Sequence, residues 1–255
     1  MKLLIDSALN EFHPITLDEM DAVKLMDRTD TKFIFHINQL PEILNRAKLF
    51  YKVFEINNKR ISDYKTLYYD TPDLDLYKIH HTGKLNRYKV RHRTYIDSDL
   101  GFLEVKYKNN KGKTFKSRIK EREPLFNWNE NSVVFLQKKT PYLADHLQPT
   151  LWVNYSRITL VNIESKERLT LDLNLQFING NQEQNLETLI IAEVKQEKAK
   201  GSPFVNIMKQ LHIREGSISK YCMAMAYTEP SIKTNRFKQK LLSIKKTINY
   251  DRTTN

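Results

Sequence analysis

Four cations occupy alternate positions in the stretch Arg87-Tyr-Lys89-Val-Arg91-His-Arg93. Successive side chains of a β-strand leave opposite faces of the sheet, so a strand here would present all four cations on one face. Like charges on neighbouring strands repel each other, and a solvated face therefore usually mixes both signs of charge. For this strand alone, an open sheet with one face in water remains the simpler interpretation.

The same alternation recurs in five further segments, where charged residues alternate with apolar or small ones. Together the six segments place ten cations and three carboxylates at corresponding positions: Arg87, Lys89, Arg91, Arg93, Lys106, Lys116, Arg118, Arg157, Arg168, Lys195, Glu104, Asp172 and Glu193. So many like charges on one sheet cost free energy unless a dense anion compensates them. A sheet closed into a barrel of about eight strands would direct them into a lumen of ligand width. We therefore expect a long, thin, multiply anionic ligand such as a chain of phosphates, whose oxygens Arg grips in pairs.

The composition agrees with a polyanionic partner. The 255 residues contain 42 Lys+Arg and 30 Asp+Glu, a formal net charge of +12, and 40% are hydrophobic, enough for a substantial core. The single cysteine, Cys222, excludes a disulfide framework and a cysteine-based zinc site. Apolar runs are too short to cross a bilayer, and Asp6 interrupts the first one before a signal peptide could form. A soluble, cytoplasmic protein is expected.

Turn residues and hydrophobic periodicity predict an α+β fold dominated by an antiparallel sheet. Strands are expected near residues 32–37, 48–56, 64–70, 84–95, 101–108, 113–121, 150–161, 166–178 and 187–196. Helices are expected near residues 17–26, 38–47, 130–139, 203–212, 217–228 and 234–248. No Gly/Ser/Pro linker divides them, so residues 1–255 are predicted to form a single domain with a core of about 27–228. The basic amphipathic helix at about 234–248 follows that core and is expected to dock against it.

Nucleic acid is the rival polyanion, but the motifs for it are missing. Most aromatic residues fall on the apolar positions of the strands, where they are expected to pack in the core rather than stack on bases. The sequence contains no helix-turn-helix or zinc-finger pattern and neither GxxxxGK[ST] nor GxGxxG. No specific nucleic-acid partner is therefore expected.

The charged segments occur in an order and spacing that together are specific. They are Arg28-Thr-Asp-Thr-Lys32, Tyr68-Tyr-Asp70-Thr71, the Arg87 to Arg93 ladder, Glu104-x-Lys106, Lys116-x-Arg118, Tyr155-x-Arg157, Arg168-x-x-x-Asp172, Glu193-x-Lys195 and Ser217-Ile-Ser219-Lys220-Tyr221. Over residues 27–221 the chain resembles the triphosphate tunnel metalloenzymes. Within them it resembles the polyphosphate polymerase domain of the vacuolar transporter chaperone (VTC) complex and its bacterial relatives.

The resemblance implies a closed antiparallel β-barrel, the triphosphate tunnel, with flanking helices at both ends. It also implies transfer of the γ-phosphate of ATP onto a growing polyphosphate chain, assisted by a divalent metal that is usually Mn²⁺. The expected partners are therefore ATP and pyrophosphate or inorganic polyphosphate. A membrane partner, as in the fungal complex, is possible but is not encoded in this chain.

Three departures from the family pattern distinguish this chain. The hydrolase and cyclase branch opens with ExExK, whereas this chain has Arg28-x-Asp30-x-Lys32, which favours the polymerase branch. The polymerases carry an Arg on the segment before the ladder, where this chain has His80-His81. They also carry a Lys where this chain has Ser217. At these two positions this chain therefore has histidine or serine where the polymerases have a permanent cation.

The candidate site residues divide into three groups. The candidate catalytic residues are the cations Arg91, Arg93, Lys106, Arg157, Lys195 and Lys220. The candidate phosphate-binding residues are Lys32, Arg87, Lys89, Lys116, Arg118, Tyr155, Arg168 and Ser219. Glu193 is the first candidate metal ligand and Glu104 the second, since one carboxylate with substrate phosphates and waters can hold Mn²⁺ or Mg²⁺. Asp172 is expected to orient Arg168 or a neighbouring cation.

The small number of carboxylates favours transfer over hydrolysis. Hydrolysis usually needs a general base to deprotonate water, whereas a terminal phosphate acceptor is already ionised near neutral pH. Two alternatives stay open: a metal-dependent (tri)phosphatase of the same fold, and a non-catalytic module that binds polyphosphate.

Several other residues are expected to be structural. Asp70 or Thr71 should cap a turn, because Asp and Thr side chains accept hydrogen bonds from the backbone that follows them. His92 is out of phase with the ladder and should lie on the outer wall of the sheet. Cys222 should be a buried helix residue.

Overall fold

Eleven strands form one sheet in the computed structural model, which describes residues 1–21, 28–164, 166–197, 201–216 and 219–250. The strands are β1 (Pro14–Ile15), β2 (Arg28–His36), β3 (Lys52–Phe54), β4 (Ile61–Asp70), β5 (Arg87–Tyr95), β6 (Leu100–Lys108), β7 (Thr114–Lys120), β8 (Gln148–Asn162), β9 (Glu167–Asn179), β10 (Gln182–Leu186) and β11 (Leu189–Glu197). The α-helices are α1 (Lys2–Asn10), α2 (Leu17–Asp21), α3 (Leu40–Ala47), α4 (Asp75–His81), α5 (Glu130–Lys139), α6 (Pro203–Gln210), α7 (Lys220–Thr228) and α8 (Lys238–Ile248).

The main path through the sheet is antiparallel throughout. Its order is β2-β11-β9-β8-β4-β5-β6-β7, with β10 paired to β9, β3 to β8, and β1 parallel to β3. The predicted α+β class and antiparallel sheet are confirmed. Closure of the sheet by hydrogen bonds is not confirmed, because in the described ranges no ladder joins β7 to β2. Strand β7 has seven residues, and most of them are exposed, so it forms an edge.

The outer face of the sheet is apolar and is covered by helices. Around β2, β8, β9 and β11 it packs against α1, α3 and α6 in one core cluster. Helix α3 buries Leu40, Ile43, Leu44 and Ala47, which recur at the spacing of one helix face. A second cluster joins β4, β5 and β6 to α5.

The opposite face carries the charges, and helices α7 and α8 cover one end of it. Helix α7 packs against apolar residues of β8 and β9, including Leu151, Val153 and Phe177. Ile244 of α8 is buried in the same cluster. The expected docking of the C-terminal helix is therefore observed.

Four elements of the structure, α1, β1, α4 and β10, were not predicted from the sequence. The sequence predicted no helix before residue 17, yet α1 buries Ile5, Ala8 and Leu9 against the core. The helix expected at 17–26 is described only as α2, and residues 22–27 lie outside the described ranges. Strand β10 was missed because four of its five residues are polar, so no alternation is visible.

None of the helices in the described part of the chain has the length and apolar character needed to cross a membrane.

Candidate functional site

The strand register places the predicted cations on one face, as the alternation indicated. Arg91 lies opposite Glu104, which in turn lies opposite Arg118. One step along, Lys89, Lys106 and Lys116 form a row of three lysines across β5, β6 and β7. Directly opposed residues in antiparallel strands share a face, so these side chains project together. We call this surface the cationic face.

Glu104 holds two of these cations. The Arg91 Nε and Nη2 donate to Glu104 Oε2 at 2.9 and 2.7 Å, and Lys116 forms an ion pair with Oε1. The Glu104 side chain is 0% exposed. Burial disfavours its charge, but the charges of Arg91, Arg93 and Lys116 hold the pKa of Glu104 well below its ordinary value. Glu104 is thus a fixed anion that orients Arg91.

Asp172 plays the same part for β8 and α7. The Arg157 Nε and Nη2 donate to its two carboxylate oxygens at 2.6 and 3.0 Å, and Lys220 of α7 pairs with Oδ2. Burial opposes ionisation here too, yet Arg157 and Lys220 keep the pKa of Asp172 well below its ordinary value. Asp172 was expected to orient Arg168 or a neighbouring cation, and in the structure it orients the neighbouring Arg157.

Glu193 forms the third such arrangement. Lys32 Nζ lies 2.6 Å from Oε1, and Lys195 Nζ lies 2.9 Å from Oε2. Although burial acts against its charge, the two lysines hold the pKa of Glu193 far below its ordinary value. Glu104, Asp172 and Glu193 thus each join two cations from different elements, and we call them the three carboxylate clamps.

Other cations of this face have no carboxylate partner within the described residues. Arg93 lies 5.9 Å from the Tyr64 ring and 6.0 Å from the Tyr155 ring, and its buried Nε has no hydrogen-bond partner. Burial, followed by the charge of Arg91, lowers the pKa of Lys106 to about 7. Burial also lowers the pKa of Lys89 to about 8, and its Nζ donates to Ser219 Oγ at 2.8 Å.

Tyr155 stands at the centre of this group. Its ring is parallel to that of Tyr64, with 5.2 Å between centroids, while Arg157 and Lys220 lie 5.2 and 5.0 Å from it. The Tyr155 hydroxyl is buried and has no hydrogen-bond partner. Burial acts to raise the pKa of Tyr155, but the surrounding cations lower it below its ordinary value. Tyr155 Oη and Arg93 Nε are two unused donors on one cationic surface.

The remaining predicted residues lie at the margins of this face. Arg118 lies over the Phe102 ring at 4.3 Å, and Arg168 lies opposite Lys195 in the β9–β11 register. The Ser219 side chain accepts a hydrogen bond from the Cys222 backbone and so caps α7. Arg87 donates to the Lys84 carbonyl at 3.1 Å. Ser217 lies outside the described residues.

The structural roles predicted from the sequence for Asp70, His92 and Cys222 agree with the structure. Asp70 Oδ1 accepts the backbone N–H groups of Thr71 and Leu76 at 2.8 Å, which caps the turn into α4. His92 is 0% exposed, and its Nε2 lies 2.7 Å from the Glu121 carbonyl on the outer side. Cys222 is buried in α7.

Sequence reasoning missed two aromatic contributors to the face. Tyr68 lies opposite Arg91, and Tyr64 stacks on Tyr155. Both belong to the alternating set 64, 66 and 68 of β4. That set contains no charged residue, whereas the prediction of the cationic face rested on charged residues alone. Extending the parity of the ladder to its neighbouring strand would have found them.

Glu193 and Glu104 are the carboxylates of this face that were predicted to hold a divalent metal. Within the described residues, no three His, Cys, Asp or Glu side chains converge as a ligand set. Glu193 offers the hard oxygen donors that Mn²⁺ and Mg²⁺ prefer, but both of its oxygens are held by lysines. A metal would therefore exchange with a lysine and take its other ligands from phosphate and water.

Two cavities lie away from the cationic face. One of about 740 Å³ is lined by residues next to α5 and the start of β8, among them Phe126 and Trp128. The other, of about 550 Å³, lies between α3 and α6 and is lined by Phe50 and Pro203. Neither is lined by a predicted site residue.

Comparison with known families decides the relationship suggested by the motifs. Residues 27–229 match the family model of the VTC domain. The chain belongs to the VTC-domain family. The resemblance inferred from the charged segments is thereby confirmed. The matched part of this VTC domain contains all three carboxylate clamps and ends before α8.

Solved structures similar to this VTC domain come from distant proteins. A candidate adenylate cyclase from Bacillus halodurans is 14% identical, covering 83% of this chain and 99% of its own, with a TM-score of 0.47. A candidate adenylyl cyclase from Hippeastrum with a dominant triphosphatase activity is 13% identical, covering 79% and 96%, with a TM-score of 0.48. A Pyrococcus horikoshii protein is 13% identical, covering 75% and 94%, with a TM-score of 0.41. Comparison with curated protein sequences gave no match.

Proposed function

We propose that this VTC domain is an ATP–polyphosphate phosphotransferase, which transfers the γ-phosphate of ATP to a growing chain of inorganic polyphosphate. Membership of the VTC-domain family and the density of cations on one sheet face support the proposal. The observation that carries it is the pair of buried, unused donors, Arg93 Nε and Tyr155 Oη. Buried polar groups are nearly always hydrogen-bonded, and a phosphate chain supplies acceptor oxygens for both.

The carboxylate clamps suit phosphoryl transfer. This reaction depends mainly on neutralising charge and on holding the attacking and leaving oxygens in line. Glu104 and Asp172 fix the guanidinium groups of Arg91 and Arg157 before any ligand arrives. Groups that are already oriented need little rearrangement in the transition state. We infer that Arg91, Arg93 and Arg157 bind the transferring phosphates, and that Lys106, Lys195 and Lys220 add positive charge.

The ionisation of the carboxylates favours transfer over hydrolysis. A general base works best when its pKa lies near the operating pH. The pKa values of Glu104, Asp172 and Glu193 are all held below their ordinary values by their cation partners. An ionised terminal phosphate can act as the acceptor without a base, whereas water usually needs one.

A divalent metal is part of this proposal. Glu193 would hold Mn²⁺ or Mg²⁺ together with substrate oxygens, and Glu104 is the second candidate. When bound, such an ion neutralises phosphate charge and polarises the phosphoryl group. Lys32 and Lys195, which share Glu193, would then turn toward the phosphates.

The test is incubation of the purified chain with ATP, Mn²⁺ and pyrophosphate, followed by gel separation of polyphosphate and measurement of free phosphate. Glu193→Gln and Arg91→Ala are expected to abolish polymer formation. Lys65→Ala is the matched control, because Lys65 is exposed and lies one residue out of phase with Tyr64 on β4. Free phosphate without polymer would identify a triphosphatase instead. If the protein forms neither polymer nor free phosphate but still binds tripolyphosphate, it would be identified as a binding module.

A further inference from the structure

A second group of cations lies where β5 begins and β6 ends. Arg87 lies opposite Lys108, and this pair is next to the Lys89–Lys106 pair on the cationic face. The C-terminal end of α4 brings His80 to these residues. The Phe237 ring, just before α8, lies 6.3 Å from the His80 ring, so the first turn of α8, which contains Lys240, begins beside His80. We call Arg87, Lys108, His80 and Lys240 the end cluster.

Packing fixes α8 in this position. The backbone N–H of Arg236 donates to His81 Nε2 at 3.3 Å, and the Arg236 guanidinium donates to the Thr82 carbonyl. The Phe237 ring meets the rings of His81 and His80 edge-on, at 5.1 and 6.3 Å. Lys240 follows three residues later, in the first turn of α8. These contacts hold the N-terminal end of α8, which carries Lys240, against the C-terminal end of α4.

The end cluster differs from the rest of the cationic face in its charge balance. The carboxylate clamps pair with cations elsewhere on the face, and across the described ranges no ion pair involves Arg87, Lys108 or Lys240. His80 Nδ1 is buried and has no hydrogen-bond partner. Burial and the neighbouring charges of Lys89, Arg87, Lys240 and Lys108 lower the pKa of His80 to about 2. Uncompensated positive charge beside an unused polar group favours an anion.

The distance along β5 sets the length of that anion. Arg87 is four residues from Arg91, and a strand of four residues spans about 13 Å. A triphosphate held by Arg91, Arg93 and Tyr155 would end before Arg87. A chain with several more phosphates, lying along the same face, would reach it.

We propose that the end cluster binds the distal phosphates of a chain longer than a triphosphate, and thereby makes the site selective for chain length. The proposal rests on the proposed function only in requiring that a phosphate chain lies along the cationic face. Lys240 lies beyond the residues matched by the family model, so this chain supplies part of the subsite from its own C-terminal helix.

The test compares binding of tripolyphosphate and of a long-chain polyphosphate by calorimetry, at one fixed salt concentration and without nucleotide or metal. The variants are Lys240→Ala, Lys108→Ala and their combination. Lys245→Ala is the control, since Lys245 is an exposed lysine of the same helix, roughly 140° around its axis from Lys240. Circular dichroism and melting temperature check that every variant is folded.

Lys240→Ala is expected to weaken long-chain binding about two- to five-fold, the range for one exposed charge pair. The fold-loss of long-chain affinity in the double variant should be roughly the product of the fold-losses in the two single variants. Tripolyphosphate binding should stay unchanged in both, and Lys245→Ala should match the parent protein with both ligands.

Three results would each contradict the proposed role of the end cluster. They are equal losses of affinity for the two ligands, no loss of affinity for the long chain, or the same loss in Lys245→Ala. Failure of the proposed function has a different signature. If the parent protein binds no tripolyphosphate, the phosphate site itself is refuted. If it binds both ligands but makes no polymer from ATP, the polymerase proposal fails and the length comparison still decides the end cluster.

Discussion

The Tyr221 hydroxyl donates a hydrogen bond of 2.5 Å to the Asp70 carboxylate, which links the first turn of α7 to the end of β4. Asp70 is fully buried and also accepts backbone N–H groups at the start of α4. The residue before Tyr221 is Lys220, which pairs with Asp172 on the cationic face. One buried acid therefore fixes the helix that delivers a candidate catalytic cation.

Removing this hydrogen bond tests its role. Tyr221→Phe is expected to lower the free energy of unfolding by about 1–3 kcal/mol, because it removes one hydrogen-bond partner of the buried Asp70 carboxyl group. Urea denaturation followed by circular dichroism measures the change. Tyr227→Phe is the control, since Tyr227 is partly buried on the same helix and only burial perturbs its pKa. Equal losses in both variants would contradict a specific link.

Tyr155→Phe should separate ligand binding from stability. The Tyr155 hydroxyl has no partner in the described structure, so its removal should leave the free energy of unfolding unchanged or slightly higher. Tripolyphosphate binding should weaken by about 0.5–1.5 kcal/mol, the net value of one hydrogen bond. Calorimetry and urea denaturation give the two values. A variant that loses stability but binds normally would assign the hydroxyl a structural role.

Removing the charge of Glu104 should destabilise the protein, and bound tripolyphosphate should restore part of the lost stability. Glu104→Gln leaves Arg91 and Lys116 close together without their anion, and breaking a buried ion pair costs about 3–5 kcal/mol. Added tripolyphosphate would supply the missing negative charge. The rise in melting temperature on adding this ligand should therefore be larger for Glu104→Gln than for the parent protein. An equal rise would mean that the ligand does not reach Arg91.

Stability should fall in acid because of the same carboxylates. Their pKa values are lowered by folding, so they contribute stability above the unfolded value of about 4, and this contribution is lost as the pH falls through the folded value. The free energy of unfolding, measured by urea denaturation from pH 7 downward, should decrease. Asp172→Asn should show a smaller decrease than the parent, and parallel curves would argue against the assignment.

Phosphate binding should be accompanied by proton uptake near neutral pH. Burial lowers the pKa of Lys106 to about 7, and a nearby anion favours the charged form of a lysine. Calorimetry in buffers of different ionisation enthalpy measures the uptake, and tripolyphosphate affinity should fall as the pH rises above about 7. Lys106→Met removes the titrating group and should reduce both effects. Unchanged uptake in this variant would assign it to the ligand or to another lysine.

Alternation of charge along the chain was enough to predict the cationic face. The period of two is a local property of strands, so the positions of Arg91, Glu104 and Lys106 followed from the sequence before any strand order was known. The pairing of Lys220 with Asp172, and the stacking of Tyr64 on Tyr155, join elements that are distant in sequence. No local pattern encodes such contacts. The family resemblance implied a closed barrel, yet β7 has too few buried residues to be covered on both sides, and the sheet is not closed by hydrogen bonds in the described ranges.

The carboxylate clamps also bear on when the protein becomes able to bind. Lys32 and Glu193 are separated by 161 positions in the chain, and Lys220 is supplied by a helix that follows every strand. Closing such long loops is an entropic cost that must be met before these ion pairs form. A ribosome-bound fragment lacking α7 would have no complete phosphate site. If a phosphate chain binds as proposed, it would stabilise the finished domain and not such a fragment.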